Sequence, residues 1–163
     1  AEELIGFTAQ DGASQYGNAG KVRSYGMESE FKAVFGKNRH AYLNFTRQNV
    51  KDKSEGDFFS GNVPKFYGNV GVSYGFTENF IAGAFLNYVG EKKRDFRDDP
   101  VDDRWLLNAS LTFKNLLIRG MDIQISGFNI LDQDHRDPDI TGYISDDIPR
   151  SGATCYGKIS YSF

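Results

Sequence analysis

The amino-acid sequence predicts an all-β protein, folded as an antiparallel up-and-down transmembrane β-barrel of about eight strands. Three observations lead to this fold class. Apolar and polar residues alternate with a period of two in about eight stretches, as they do along strands with two different faces. Several stretches are about ten residues long, the length of a tilted strand that crosses a bilayer. The connections between the stretches alternate between long and short.

The composition is typical of β-structure. Phe, Trp and Tyr make up 15% of the 163 residues, and the chain has 18 Gly but only 4 Pro. The mean hydropathy is -0.51, and no apolar run of about 18 residues is present, which excludes a transmembrane helix. A membrane barrel remains compatible with this value, because only one row of each strand faces lipid. The net charge of -3 combines both signs, so no nucleic-acid partner is predicted.

Eight segments are predicted to be strands: residues 3–10, 23–35, 40–51, 64–76, 80–92, 104–115, 122–132 and 153–163. The alternation is clearest in "SYGMESEFKAVF", "KFYGNVGVSYGF" and "RWLLNASLTF", in which one row is apolar and the other polar or small. The segment 80–92 is apolar on both rows, so its two faces cannot be assigned from the sequence.

The apolar row of each strand is predicted to face the hydrocarbon of the membrane. This orientation keeps Lys and Arg out of the middle of the lipid-facing rows, where such a charge costs about 2–4 kcal/mol. The residues predicted to face the membrane are Val70, Val72, Tyr74, Trp105, Leu107, Leu111, Phe113, Ile159, Tyr161 and Phe163.

The polar rows are predicted to line the lumen. Their charged residues are Glu28, Glu30, Lys32, Arg47 and Lys158. A binding or conduction path is the functional interpretation of this set. A hydrated lining of paired charges is favoured, because an unpaired buried charge is costly.

The connections are predicted to divide between two ends of the barrel. The long ones are residues 11–22, 52–63, 93–103 and 133–151, and the short ones are 36–39, 77–79 and 115–121. Outer-membrane barrels have short periplasmic turns and long extracellular loops. The sequence therefore predicts this arrangement in a bacterial outer membrane, with both termini periplasmic.

One long loop, "RDFRDDPVDDR", collects the carboxylates of Asp98, Asp99, Asp102 and Asp103. Because carboxylates are hard oxygen ligands, a divalent cation site is the functional interpretation. The spacing does not match an EF-hand, and a solvated loop beside lipopolysaccharide is favoured. No Ser/His/Asp grouping or phosphate-binding glycine loop occurs, so no enzyme activity, catalytic residue, metal or cofactor is predicted.

Four motifs, in order along the chain, resemble the C-terminal part of TonB-dependent outer-membrane receptors. They are "YGNAGKVRSYGMESEF", "NVPKFYGNVGVSYGF", "ISGFNILDQDHRDPD" and "IPRSGATCYGKISYSF". The matching residues are Asn18, Gly26, Glu28, Glu30, Pro64, Asn129, Leu131, Asp132 and the terminal Phe163. In the last motif the family has Gly followed by Arg, whereas here Arg150 precedes Gly152.

The resemblance implies a role in uptake at the outer membrane of a Gram-negative bacterium. Family members have a plug domain and a barrel of about 22 strands, of which residues 1–163 would supply about the last eight as a single domain without a plug. The full receptor would bind a scarce substrate such as an iron chelate or cobalamin. A stand-alone chain would instead be a small structural or pore-like barrel without energy coupling.

The sequence also predicts further partners, and it leaves one alternative class of protein open. The terminal "GKISYSF" resembles the signal read by the β-barrel assembly machinery. The membrane itself would contribute lipid and lipopolysaccharide contacts, and self-association into a larger barrel stays open. The alternative is a soluble lipocalin-like barrel, which would enclose an apolar ligand behind an inward-facing apolar row.

Overall fold

The computed structural model describes residues 2–10, 13–52, 58–59, 63–94, 98–139 and 143–163, with side chains for 22–51, 63–94, 98–139 and 143–163. The regular structure in these ranges is entirely β-strand. No helix within them is long and apolar enough to cross a membrane.

Eight long strands and three short ones are present in the described ranges. In chain order they are β1 (Glu2–Gln10), β2 (Ala13–Gly36), β3 (Arg39–Asp52), β4 (Phe58–Phe59), β5 (Phe66–Gly75), β6 (Phe80–Val89), β7 (Arg104–Phe113), β8 (Met121–Phe128), β9 (Arg136–Asp137), β10 (Ile148–Pro149) and β11 (Thr154–Tyr161). Each of the eight predicted strands overlaps one of the long strands.

The long strands form one antiparallel meander in the order β1-β2-β3-β5-β6-β7-β8-β11. The short strand β4 pairs with the end of β3, and β9 and β10 form a separate ribbon. The prediction of an all-β, up-and-down antiparallel fold is confirmed. In the part of the chain that the structure describes, β1 and β11 stand at the two ends of the sheet, and the meander is not closed into a barrel.

The first long loop was predicted at residues 11–22, and this prediction is wrong. Strand β2 begins at Ala13, and its first part pairs with β1, with Gln10 opposite Ala13 and Glu2 opposite Lys21. The Gly, Ser and Asn residues of this segment indicated a loop, but backbone pairing with β1 satisfies its hydrogen bonds whatever the side chains are. The other three long connections, β3–β5, β6–β7 and β8–β11, share one end of the sheet, called here the long-loop end.

Glu2 and Tyr161 lie at opposite ends of the described sheet, and the periplasmic position of both termini stays a prediction. Glu2 is opposite Lys21, beyond the last β2–β3 pair at the long-loop end. Tyr161 is opposite Met121, where β8 begins after the short β7–β8 turn. Glu2 lies at the long-loop end because β1 pairs with residues 13–21 of β2 and not with residues 22–36.

The pairing register assigns every long strand after β1 two faces, because directly opposed residues of an antiparallel pair point to the same side. One continuous row is Phe31, Leu43, Val70, Leu86 and Leu107. The neighbouring row on the other side is Glu30, Asn44, Asn69, Asn87 and Leu106. We call these sides the apolar face and the polar face. The register thereby assigns the two faces of β6, which the sequence alone could not assign.

The side chains that the structure describes form no hydrophobic core in the sheet. Apart from Val101 and Pro138, no apolar side chain in the described ranges is buried. The apolar face is exposed instead: Phe31 is 68% accessible, Val72 45% and Ile159 71%. Cys155 is also exposed on this face.

Arg47 is the exception among the predicted lumen-facing residues. It lies opposite Met27 on β2 and opposite Phe66 on β5, which places it on the apolar face. The prediction was wrong because both rows of β3 are polar near the long-loop end, so alternation alone could not distinguish them. The register puts the other four, Glu28, Glu30, Lys32 and Lys158, on the polar face.

Candidate functional site at the long-loop end

Aromatic side chains mark both ends of the apolar face. In the long-loop aromatic row, the ring centroids of Phe45, Phe66, Tyr88 and Trp105 are successively 6.1, 5.8 and 4.3 Å apart. In the short-turn aromatic row, those of Tyr74, Phe76, Phe80 and Phe113 are 4.9, 5.3 and 5.0 Å apart.

The distance between the two rows can be compared with the thickness of a membrane. Phe66 and Phe76 are separated by about 33 Å along an extended strand. A tilt of about 40°, usual in outer-membrane barrels, reduces this to about 25 Å of height. That value equals the apolar band of such barrels, which is bounded by aromatic girdles on both sides.

The polar face carries a ladder of amide side chains across three strands. Asn69 Nδ2 donates to Asn44 Oδ1 at 2.9 Å, and Asn87 Nδ2 donates to Asn69 Oδ1 at 2.8 Å. Beside it, Lys32 Nζ lies 2.6 Å from Glu30 Oε1, with both side chains more than half exposed. An exposed pair of this kind contributes little to stability, so the polar face is a hydrated, hydrogen-bonding surface.

One carboxylate at the long-loop end binds three cationic side chains from separate segments. Asp137 Oδ1 accepts from Lys92 Nζ at 2.6 Å and from Arg104 Nη1 at 2.9 Å. Its Oδ2 accepts from Arg150 Nε at 2.6 Å. Burial by itself raises the pKa of Asp137, but the hydrogen bonds from the three cations outweigh it and hold the pKa well below the usual value.

A second ion pair lies close to the first along the same loops. Arg94 Nε donates to Asp147 Oδ2 at 2.9 Å, and Arg94 Nη1 donates to Asp99 Oδ2 at 2.7 Å. Asp147 is 3% accessible and has a φ of 62°. The hydrogen bond to Asp147 raises the pKa of Arg94, against the opposing effect of burial. The loop ion network, defined as Lys92, Arg94, Asp99, Arg104, Asp137, Asp147 and Arg150, joins the β6–β7 and β8–β11 loops.

The four candidate carboxylates of the β6–β7 loop have different surroundings. Asp99 is bound by Arg94, Asp103 interacts with the hydroxyl of Tyr88, and Asp98 lines a separate cleft beside Lys93. In the described ranges, no group of three or more His, Cys, Asp and Glu residues could hold a metal ion. Asp99, Asp102 and Asp103 line one open cleft of about 420 Å³ together with Arg94 and Arg136. This cleft is lined by both acidic and basic side chains, so it can bind a polar solute by hydrogen bonds.

Asn129 anchors the start of the longest loop. It is 4% accessible with a φ of 46°, a conformation that Asn tolerates better than most residues. Its backbone N–H donates to Asn108 Oδ1 at 2.9 Å, and its side chain exchanges hydrogen bonds with the backbone of Gln133. Asp132 Oδ1 accepts from the N–H of Ala153 at 2.8 Å. The "NILD" motif thus fastens the loop to β7 and to the segment before β11.

The sequence did not predict the loop ion network. Lys92 and Arg94 were not selected as candidates, and Asp137 and Arg150 entered only through motifs that resemble the receptor family. The available signal was the mixture of Arg and Asp within both loops, which indicates charge pairing but not which residues pair. Of the motif residues, Asn18 lies outside the side chains that the structure describes.

Known proteins share this architecture. Residues 3–130 match the family model described as TonB dependent receptor-like, beta-barrel. No curated protein matches the chain significantly.

Three solved structures have the same fold. The copper transporter OprC has a TM-score of 0.72 and 19% identity, and the match covers 99% of this chain and 27% of OprC. The ferric-catecholate import receptor Fiu from E. coli K12 has a TM-score of 0.73 and 19% identity, covering 99% and 24%. A chain from the FpvAI–pyocin S2 complex has a TM-score of 0.74 and 14% identity, covering 88% and 20%. The chain therefore spans about a quarter of these structures.

Proposed function

Because this chain belongs to the TonB-dependent receptor β-barrel family, we propose that it forms part of the barrel wall of a receptor that imports a scarce substrate. Barrels of this family are outer-membrane proteins. The observation that carries the proposal is the exposed apolar face between two aromatic rows, with a hydrogen-bonding polar face behind it. A lipocalin-like barrel, by contrast, would have its apolar row inside.

In the proposed orientation the long-loop end faces the outside and the short turns face the periplasm. Three long connections on one end support this, because outer-membrane barrels place long loops outside. The loop ion network then lies at the mouth of the barrel. There it would hold the β6–β7 and β8–β11 loops together around the entrance that a substrate uses.

The substrate class is an iron chelate or cobalamin, taken up with energy from the inner membrane. The test is uptake of labelled ferric chelates and labelled cobalamin by cells with and without the full-length protein. We expect one of them to require the protein and a proton-motive force. Flux of small solutes that continues in de-energised cells would contradict the proposal and favour a pore-like barrel.

Strand β11 is the proposed contact with the barrel assembly machinery. Its residues are exposed along the whole strand, and Ile159 and Tyr161, together with Phe163 two residues beyond it, are apolar. We expect Phe163→Ser to reduce the fraction of folded protein in the outer membrane several-fold, measured by heat-modifiable mobility on gels. Ser162→Ala is the matched control and should assemble normally; equal assembly of both variants would remove β11 as the contact.

A further inference from the structure

An open pocket of about 550 Å³ lies on the polar face of the β8–β11 pair. Six of its seven lining residues form three successive opposed pairs, which are Thr154 with Phe128, Tyr156 with Ser126, and Lys158 with Gln124. Ser126 is also opposite Ser110, a polar-face residue. Because opposed residues and alternate residues of a strand point to the same side, all six side chains lie on the polar face. The seventh residue, Gly157, has no side chain.

Two aromatic rings form a corner within this pocket. The ring centroids of Phe128 and Tyr156 are 5.6 Å apart, and the ring planes are inclined by 80°. Phe128 is 42% accessible and Tyr156 63%, so both rings can contact a ligand. The face of an aromatic ring is electrically negative and attracts groups with partial positive charge, such as the C–H groups of a saturated ring. The corner therefore suits a ring with C–H groups on one side.

Neutral polar groups surround the aromatic corner. They are the hydroxyls of Ser126, Thr154 and Tyr156 and the amide of Gln124. Within the described ranges none of these groups is engaged in a hydrogen bond with the protein, and each of them can both donate and accept. Among the described residues, the lining contains no carboxylate and one cation, Lys158. The pocket therefore fits neither a metal cation nor a polyanion, but it fits a neutral ligand with several hydroxyl groups.

We propose that this pocket binds a neutral saccharide. The C–H side of a sugar ring packs against Phe128 and Tyr156, and its hydroxyls exchange hydrogen bonds with the polar groups around the corner. Thr154 and Lys158 are about 13 Å apart along the strand, so the pocket is longer than one six-membered ring and accommodates a short oligosaccharide. The inference goes beyond the import of an iron chelate or cobalamin. It requires only that the polar face lines the water-filled interior of the barrel.

The first test varies the ligand. Full-length protein, purified in a detergent without a sugar headgroup, is applied to immobilised neutral oligosaccharides of glucose, galactose, mannose and N-acetylglucosamine. We expect at least one of them to retain the protein at least tenfold more strongly than the bare spacer does. Retention by none would overturn the proposal and would mean that another part of the protein covers the pocket. Displacement of the sugar by benzoate, an aromatic acid, at matched concentration would overturn a saccharide as the ligand.

The second test varies the protein. Tyr156→Ala removes a ring of the corner and should weaken retention by about tenfold, whereas Tyr156→Phe loses only the hydroxyl and should weaken it by about threefold. Tyr143→Ala is the matched control, because Tyr143 is 91% accessible in a loop and outside the pocket, and it should leave retention unchanged. Should Tyr156→Ala fail to assemble, Phe128→Ala serves in its place. Wild-type retention in the assembled pocket variants would overturn the site, whatever the uptake assay shows.

Discussion

Asp137 illustrates how a single residue gains its role from distant partners. In the sequence it is one of several acids beside a proline, a composition typical of turns. In the structure it binds Lys92 and Arg104, which are 45 and 33 residues away along the chain. Its side chain is 18% accessible, so the carboxylate is partly withdrawn from water and depends on these partners. The residue therefore connects loops that are otherwise separate.

Replacing Asp137 by Asn should loosen both loops, because three cations lose their common counter-charge. We expect the free energy of local opening to fall by about 2 kcal/mol, which is roughly a thirtyfold increase in amide hydrogen exchange. The measurement is hydrogen exchange with mass spectrometry over residues 90–103 and 129–153 of the full-length protein.

The matched control for this variant is Asp134→Asn. The side chain of Asp134 is 78% accessible and lies 3.9 Å from Arg136, an exposed pair of little energetic weight. Protection should therefore be unchanged. If Asp137→Asn were protected as well as this control, the loop ion network would not hold the loops together.

The lowered pKa of Asp137 also predicts how the loops respond to acid. A carboxyl whose folded pKa lies below its unfolded value, about 3.9, contributes full stability above that value and loses it as the pH falls toward the folded pKa. Loop protection factors, corrected for intrinsic exchange, should stay constant from about pH 8 to pH 5 and fall below about pH 4. The fall should be smaller in Asp137→Asn, and an equal fall in both proteins would contradict the assignment.

At the scale of the strands, register decides what alternation cannot. Val72 lies in the row of Ala41, Ala84 and Ala109, in the middle of the apolar face. Leu111 lies one row nearer the short turns, opposite Ala82. Ser110 is a neighbour of Leu111 on the same strand but faces the other way, opposite Gly83 and Ser126. Adjacent residues of one strand thus provide matched positions on the two faces.

An arginine introduced at these positions should have a different effect on assembly on each of the two faces. Val72→Arg and Leu111→Arg place a charge in the lipid-facing band at a cost of about 2–4 kcal/mol, and we expect little folded protein in the outer membrane. Ser110→Arg should assemble more efficiently, since its side chain reaches the hydrated polar face. Heat-modifiable mobility measures the folded fraction, and equal tolerance of all three changes would reverse the assignment of the faces.

At the scale of the whole molecule, the sheet is stabilised by its surroundings and not by a core. Its described apolar side chains are almost all accessible. They must therefore be shielded from water by lipid or by the rest of a barrel. Buried apolar area contributes about 25 cal/mol per Å². Without a membrane this contribution is missing from the apolar face.

The full-length protein should therefore behave as an integral membrane protein. We expect it to remain in the membrane pellet after extraction with alkaline carbonate and to be released by detergent. Quantitative immunoblotting of the two fractions is the measurement. Recovery in the carbonate supernatant would mean that the apolar face is covered within a soluble molecule, as in a lipocalin-like barrel.

The sequence alone determined the strands and most of their faces. The positions of Val70, Val72 and Leu107 on the apolar face follow from alternation, because the direction of a side chain along a strand is a local property with a period of two. All eight predicted strands appear, and seven of them lie within a few residues of their expected bounds; β2 begins ten residues earlier than predicted.

Only the tertiary structure decided the rest. It showed that β2 extends back to Ala13, that β6 has an apolar face through Leu86, and that Arg47 shares the face of Phe66. It also revealed an ion network centred on Asp137, which the sequence did not predict. The reason is physical: pairing register and ion pairing depend on residues tens of positions apart, and no local pattern specifies which of them will meet.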